Sequence, residues 1–438
     1  VTLAAYAARV CEHHRAADCA PSSLMRILCL THRFPFPPNK GDKIRAFNIL
    51  DYLARDHEVH VAGLIDDPGD VPLVEKLAAR VAGTAFERID GRPQALSGLR
   101  AVLTGRPITV THFHSHRLQQ RVDDLLESRP FDVVLCSSSP MAEYVFRSRH
   151  ANGCLARAVK AIDLIDVDSY KWRQYAARSP WWKAWIYRYE ATHLAQYEVC
   201  ITQAFQQVFV VSAQEREYLP PGADASKVIP ISNGVDLEYF SPVQTPPGNG
   251  SGSPSLVFTG VMDYWPNVDG VVWFAERVLP RIRAAVPDVR FVIVGSRPSE
   301  AVRKLARLDG VTVTGFVEDV RDFVSTAAVC VVPLRIARGV QNKVLEAMAM
   351  GKAVVCTPQA FEGLQAEQGV DLLTAATEDA FADAVIGLLR DRAAAGRMGE
   401  NARRFVERHY RWSDHLAALA RALGCTRTVQ SHPPVAVQ

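Results

Sequence analysis

Short apolar runs, each long enough for one strand, alternate along the chain with longer segments whose apolar residues recur at helical spacing. In the first half the runs are RILCLT (26–31), VHVAGL (59–64), DVVLCS (132–137), VKAIDL (159–164) and FVVS (209–212). The alternation stops at PVQTPPGNGSGSPS (242–255), which is rich in Pro, Gly and Ser, carries no charge and predicts a linker. It restarts with LVFTG (256–260), RFVIVG (290–295), VTVTG (311–315), AVCVVPL (328–334) and AVVCT (353–357), separated by helical patterns such as DGVVWFAERVLPRIRAA (269–285). Strands alternating with helices build parallel sheets from βαβ units. The pattern therefore predicts an α/β protein of two Rossmann-like, doubly wound parallel-sheet domains facing a cleft. The expected domains are 25–241 and 256–425, joined by the linker. Helical patterns over 377–394 and 397–422 close the second, the last free to pack back on the first. Residues 1–24 lack a continuous apolar core and Met25 directly precedes the first strand, so the working protein is expected to start near Met25 after a disordered extension. The polar, Pro-containing segment 426–438 is expected to be a disordered tail.

At 438 residues the chain exceeds what one core usually holds, and a 48% hydrophobic composition supplies apolar material for two. Fifty Lys and Arg against 47 Asp and Glu leave a net charge of +3, too little for a global field that attracts nucleic acid. The nine cysteines are scattered and never form CxxC, which excludes a zinc ribbon or disulfide framework and suits a reducing cytoplasm. Cys29, Cys136, Cys330 and Cys356 lie in apolar runs, as small core residues. No uncharged apolar stretch approaches the roughly 18 residues of a membrane-spanning helix. The expected location is the cytoplasm, with the inner face of the cytoplasmic membrane as a peripheral site.

The richest chemistry lies in RGVQNKVLEAMAMGKAVVCT, Arg338 to Thr357. A strand ending in Val-Pro-Leu-Arg leads into a loop containing Gly339, then a helix from about Asn342, then a Gly turn and another strand. Amide donors at that helix start, with the positive end of its dipole, suit a diphosphate. Arg335, Arg338 and Lys343 add charge there, and Glu346, one turn beyond Lys343, is placed to accept from vicinal hydroxyls such as those of a ribose. An amphipathic core helix with incidental surface charges reads equally well from these residues alone.

This block resembles the donor-site signature of family-4 retaining GT-B glycosyltransferases, E-x7-E followed by AMA-x-G-x-PVV. ISNGVDLEYFSP (231–242) resembles the family's N-G-V-D…F-x-P, VVSAQEREYL (210–219) its V-S-x-x-E, and FTGVMDYWPN (258–267) the first strand and loop of its donor domain. PPNKGDKIRAFN (37–48) and DLIDVDSYKW (163–172) are similar to a sub-branch found with exopolysaccharide and exosortase gene clusters. The resemblance implies that 256–425 holds a nucleoside diphosphate sugar, UDP- or GDP-linked, through Gly260, Asp263, Asn267, Arg335, Arg338, Gly339, Asn342, Lys343 and Glu346. It implies that 25–241 presents the acceptor, with contacts at Lys40, Gly41, Asp42, Lys43 and Arg45, and that Asp166 and Asp168 are catalytic. Position 338 departs from the pattern, Arg standing where the first Glu of E-x7-E is usual, and Val261 and Asn267 replace the usual phosphate-clamping Arg and Lys. Arg335, Arg338 and Lys343 are expected to supply that charge.

From the residues, Asp166 and Asp168 share one side of a strand, placed to stabilise positive charge or accept a proton. A D-x-D metal clamp and a pair of solvated helix-capping acids are the rival readings. Lys40, Lys43 and Arg45 suit an acidic acceptor, with Asp42 capping the following helix as the alternative. His112, His114 and His116 alternate as strand residues on one face would, yet no carboxylate lies near in sequence, and no metal site is assigned. Gly351-Lys352 ends like a P-loop without its leading Gly or following Ser/Thr. The segment 172–189 mixes Trp181, Trp182, Trp185 and Tyr187 with Arg173, Lys183 and Arg188. Its helical spacing favours a core helix, with peripheral contact to an anionic membrane as the second reading.

The resulting expectation is a metal-independent glycosyltransferase, needing no cofactor, that moves a sugar to a saccharide or lipid-linked saccharide acceptor with retention of configuration. The alternatives are a catalytically silent nucleotide-sugar-binding subunit and a nucleotide-sugar epimerase on the same fold.

Overall fold

A computed structural model describes residues 24–89, 94–242 and 253–425. The expected extension up to residue 23, most of the linker and the tail from 426 lie outside the described residues. The chain divides into two compact units, one running to Ile231 and resuming at Leu416, the other Ser232–His415.

The first unit is built on strands β1 (Arg26–Thr31), β2 (Glu58–Ile65), β3 (Gly83–Arg88), β4 (Val133–Ser137), β5 (Val159–Ile165), β6 (Gln207–Val210) and β7 (Val228–Pro230). They form one sheet in the order β3-β2-β1-β4-β5-β6-β7, and every neighbouring pair is parallel. Helices cover both faces of such a sheet, so its central strands are apolar throughout rather than alternating. Leu28, Leu30, Val134, Cys136 and Ile162 pack there with Leu194, Phe205 and Val208. The helices used below are α1 (Gly41–Leu53), α2 (Gln94–Thr104), α3 (Ile108–Phe113), α4 (His116–Ser128), α5 (Asp168–Ala177) and α6 (Trp181–Ala204).

The second unit repeats the plan with β8 (Ser255–Thr259), β9 (Arg290–Val294), β10 (Val311–Gly315), β11 (Val329–Val332), β12 (Val354–Cys356) and β13 (Leu373–Thr374), in the order β10-β9-β8-β11-β12-β13. Its pairs are also all parallel. Here α7 (Trp265–Trp273) follows β8, α8 (Asn342–Ala349) follows β11, and α9 (Glu378–Arg390), α10 (Arg392–His409) and α11 (Trp412–Ala422) end the fold. The division between units falls inside α11, and in the first unit the Cys425 carbonyl meets His57 Nε2 at 3.0 Å.

The expected architecture of two doubly wound parallel sheets is borne out, and each long apolar run of the sequence is a strand. Three strands went unpredicted. β3 is half-buried along its length and shows no apolar face, β7 has three residues and ends in Pro, and β13 has two. The helical pattern over 269–285 is three pieces: α7, a π-turn at Phe274–Val278, and a helix over Leu279–Ala285. Pro280 lacks an amide hydrogen, and the wider turn accommodates that missing donor. No helix among the described residues is long and apolar enough to cross a membrane. The cysteines expected in the core are buried and free, and burial pushes the Cys330 and Cys356 thiols up to about 12, which makes them inert.

Candidate functional site

In a doubly wound sheet, ligands settle beyond the carboxyl ends of the strands where the strand order reverses. In the second unit that point lies between β8 and β11, which pair directly. Gly260 follows β8, and a side chain there would come within 2.8 Å of Asn267 Nδ2 and 3.4 Å of Lys343 Nζ. Its lack of a Cβ is what lets these groups converge. Asn267 donates through Nδ2 to the Val261 carbonyl at 2.8 Å and accepts from Lys343 Nζ through Oδ1 at 2.7 Å. The Lys343 ammonium also lies 4.9 Å from the centre of the Phe258 ring.

Lys343 and Glu346 stand about one turn apart on α8, and both are half-buried. Burial pulls the Lys343 ammonium down from 10.5 to about 8, the Glu346 charge acting against it. Burial likewise pushes Glu346 up from 4.5 to about 7, opposed by Lys343. The start of α8 carries no side-chain cap. Gln341 turns its amide back to the Arg338 carbonyl at 2.6 Å, and Asn342 Oδ1 accepts from Asn233 Nδ2 at 3.0 Å. The first amides of α8 thus keep their donor character for an anion. Gly339, at φ +58°, makes the left-handed turn that starts this loop.

The remaining predicted donor residues each have an oppositely charged partner. Arg335 Nε donates to Asp269 on α7 at 2.9 Å, and Arg338, buried, donates through Nη1 to Glu362 at 3.0 Å. Asp263 pairs with Arg297 at 3.0 Å. Arg335 and Arg338 are thus neutralised by Asp269 and Glu362, while Lys343 is held by the neutral Asn267 with the Glu346 charge nearby, so the three cations expected to supply a surplus of positive charge are not all available for it.

The N-G-V-D stretch acts inside the second unit. Asn233 holds the start of α8, and a side chain at Gly234 would come within 2.6 Å of the Trp412 backbone. Val235 N donates to the Tyr410 carbonyl at 2.8 Å, while Asp236 Oδ1 accepts from Glu238 N and Tyr239 N.

In the first unit the strand order reverses between β1 and β4. His32 and Arg33 follow β1 and converge on Asp42, His32 Nε2 at 3.4 Å and Arg33 Nη1 at 3.0 Å, while Arg33 Nε reaches Asp66 at 2.8 Å. Burial works against ionisation of Asp42, but the hydrogen bonds and charges of His32 and Arg33 outweigh it and hold the carboxyl well below the usual carboxylate range. Asp42 is therefore an ionised anchor inside the first turn of α1 rather than its cap, a place held by Lys40. Lys40 and Gly41 remain at the accessible helix start. Two of the expected acceptor cations are internal instead. Lys43 Nζ meets Asp70 at 2.6 Å, and Arg45 donates to both Asp163 oxygens at 2.6 and 2.8 Å and to the Ile231 carbonyl at 2.8 Å. All four of these charged side chains are buried, so Lys43 and Arg45 hold the unit together and have no surface to offer an acceptor.

The two candidate catalytic acids do not share a strand face. β5 ends at Ile165, where φ of +69° turns the chain left-handed, an uncommon geometry for a β-branched residue and costly to hold. Asp166 lies in the turn and Asp168 opens α5, its carboxylate paired with Lys171. Two buried glutamates clamp the backbone around them. Glu215 accepts from Val167 N at 2.7 Å, and Glu198 accepts from Ser169 N at 3.0 Å and from its hydroxyl at 2.5 Å. Glu215 is the last residue of the V-S-x-x-E stretch, where Ser212 caps the short helix at Glu215 N. The clamp uses donors at the α5 N-terminus, so that helix start is not an open anion site.

His112 ends in α3, His114 follows it and His116 begins α4, so the alternation is not that of a strand. Among the described residues no three His, Cys, Asp or Glu side chains group to hold a metal ion. Sequence reasoning missed His32, Arg33, Glu198, Glu215 and Arg297. The position of His32 and Arg33 directly after the first strand was the available signal. The carboxylate clamps were invisible because their partners lie 29 and 48 residues away.

Two doubly wound sheets with an anion-directed helix start in the second unit define the GT-B fold. Solved structures share it at low identity. Anabaena HepE in complex with UDP and glucose superposes with a TM-score of 0.64 at 14% identity, covering 92% of this chain and 100% of that one. Sucrose-phosphate synthase from Thermosynechococcus elongatus superposes with a TM-score of 0.66 at 17% identity, covering 91% and 98%. Residues 253–391, the part that carries β8 to β13 and α8, match the family model described as Glycosyl transferases group 1. This match and the fold together support a glycosyltransferase of the group 1 type. Over 397 residues the chain is also 20% identical to an uncharacterized 44.6 kDa protein in the cps region of Klebsiella pneumoniae, covering 88% of this chain and 97% of the relative.

Proposed function

We propose that the protein transfers a sugar from a UDP- or GDP-linked donor to a saccharide or lipid-linked saccharide, with retention at the anomeric carbon and without metal or cofactor, in exopolysaccharide or cell-surface glycan synthesis. The observation that carries this reading is the convergence of Gly260, Asn267, Lys343 and Glu346 at the uncapped start of α8. The α8 amides and Lys343 stabilise charge developing on the departing diphosphate, and Glu346 accepts from the ribose hydroxyls. Asp166 and Asp168 are the candidates for work at the reacting carbon, held by the Glu215 and Glu198 clamps. The relative in the Klebsiella pneumoniae cps region supports the assignment to polysaccharide synthesis, and the HepE complex with UDP and glucose supports a uridine-linked donor.

The buried Arg338–Glu362 pair, where the resemblance expects a sugar-contacting carboxylate, favours one other reading: donor binding without transfer. A thermal-shift panel of UDP- and GDP-sugars identifies the donor, since a ligand that binds the native state raises its stability. Nucleotide release with and without acceptor then separates the readings. Transfer requires acceptor-dependent release, an epimerase yields a new sugar nucleotide or free sugar without acceptor, and a silent subunit yields neither. Donor binding unchanged by both Lys343→Ala and Glu346→Ala removes the site assignment.

A further inference from the structure

Within the segment of mixed aromatic and basic residues, Trp172 packs against the core and the start of α6 forms a surface. At the start of α6, Trp181, Trp182 and Trp185 are 83, 51 and 53% exposed, and Ile186 is exposed beside them. Helix α2 contributes a second apolar stripe: Leu96, Leu99 and Leu103 recur at helical spacing and each is more than half exposed, with Val102 alongside. α6 is fastened to the end of α2 and the start of α3. Tyr189 donates its hydroxyl to the Ala101 and Arg106 carbonyls at 2.9 and 3.1 Å, and Glu190 accepts from Ile108 N and Thr109 N of α3 at 2.5 and 2.9 Å. Trp185 and Trp181 lie one and two turns before Tyr189 on the same side of α6, which Tyr189 ties to the end of α2.

Charge identifies the occupant. Residues 94–107 contain Arg100 and Arg106 and no acid, and 169–189 contain Lys171, Arg173, Arg178, Lys183 and Arg188 and no acid. Arg106 is paired with Glu143 and Lys171 with Asp168, while Arg100, Arg173, Lys183 and Arg188 are exposed around the apolar stripes. Lys183 Nζ lies 4.9 Å from the Trp182 ring centre, a charge held at the level of the aromatic belt. A second copy of the chain meeting this face about a two-fold axis would set cations against cations. An anionic bilayer answers both features, with rings and leucines at the acyl boundary and cations among the headgroups. We propose that the α2–α6 face of the first unit docks the protein on a membrane rich in anionic lipid. This proposal does not depend on the sugar-transfer reading, because no residue of the second unit takes part.

The test is co-sedimentation of the full chain with vesicles of phosphatidylcholine alone and of phosphatidylcholine with phosphatidylglycerol. Binding is expected to the second only and to weaken with salt. It should fall by about tenfold or more in each of Trp181→Ser/Trp185→Ser, Leu99→Ser/Leu103→Ser and Lys183→Glu/Arg188→Glu. All six are surface residues, so nucleotide thermal shifts should be unchanged. In the unaltered protein, brominated acyl chains should quench tryptophan emission, a readout that needs no variant. Absence of binding to anionic vesicles at low salt, absence of quenching, or binding indifferent to well-folded variants overturns the proposal. So does a concentration-dependent dimer, seen by light scattering and abolished by the same substitutions.

Discussion

Replacing Lys343 with Met gives the most direct test of the donor site, because the ammonium is both half-buried and held by a neutral partner, Asn267. A charge-assisted hydrogen bond to a buried group contributes about 1.5–3 kcal/mol, so losing it should raise the Kd for UDP or GDP about 10- to 150-fold. The Met side chain keeps the stem over Phe258, and Glu346, already pushed up to about 7, takes a proton once its cation is gone, so the fold should persist with little change in Tm. The charge of Lys343 also has a signature in pH. In the free protein burial lowers it from 10.5 to about 8, whereas a bound diphosphate favours the charged form. Affinity should therefore be full below pH 8 and fall as pH rises through 8, by up to about tenfold per unit. At pH 8 about half a proton should be taken up per nucleotide bound, measured by titration calorimetry in buffers of different ionisation enthalpy. In Lys343→Met both the uptake at pH 8 and the slope above it should vanish. A variant that binds nucleotide within about threefold of the parent and keeps the same proton uptake would falsify the assignment of Lys343 to the diphosphate.

Arg45→Met leaves Asp163 buried without its cation and should destabilise the first unit by about 3–5 kcal/mol, whereas Arg45→Met with Asp163→Leu should recover most of the loss. Hydrogen exchange of β1 and β5 amides reads this, and a double variant no better than either single one contradicts it. Glu198, at about 7 in the fold and 4.5 unfolded, has a raised pKa from burial, so it contributes stability that is full below pH 4.5 and lost as pH rises through 7. In Glu198→Gln that slope, of up to about 3 kcal/mol across the window, should disappear from the difference between denaturation curves taken at each pH. Gly260→Ala places a methyl 2.8 Å from Asn267 Nδ2 and should pull Asn267 away from Lys343. Nucleotide affinity should drop about tenfold with a small loss in Tm, and an unchanged calorimetric Kd would sever the link between this glycine and the site.

Much of the fold was legible because parallel strands covered on both faces must be apolar at every position, and such runs stand out in any window. The edges were not, since β3, β7 and β13 are short or half-exposed and carry no such signal. The helical spacing of Trp181, Trp185 and Tyr189 was correct, although 172–189 spans the end of α5, a break at 178–180 and the start of α6, and periodicity is blind to which medium receives the apolar stripe. Trp181, Trp185 and Tyr189 lie on one face of α6 either way, and only the exposure of both tryptophans and the neighbouring leucines of α2 distinguishes a surface from a core. The strand argument for Asp166 and Asp168 failed at Ile165, whose left-handed turn ends β5 one residue before the first of them.

At the donor site the sequence displays the cations and conceals their partners. Arg335, Arg338 and Lys343 lie within nine positions, yet Asp269 and Glu362, which hold the arginines, come from 66 and 24 residues away. The consequence is chemical as well as topological. An arginine bound to a carboxylate must leave that carboxylate, or bring its charge along, before it can meet a phosphate. Inside the protein, abandoning a buried carboxylate costs several kcal/mol. Arg338, buried against Glu362, therefore has the largest barrier to serving the donor, and the exposed Arg335–Asp269 pair a smaller one. Lys343 gives up only an amide oxygen and gains charge stabilisation when an anion arrives, since burial already holds its proton loosely. The three cations that look equivalent in sequence are thus ranked by their partners, Lys343 before Arg335 before Arg338. Substituting each by Met should weaken nucleotide binding in that order.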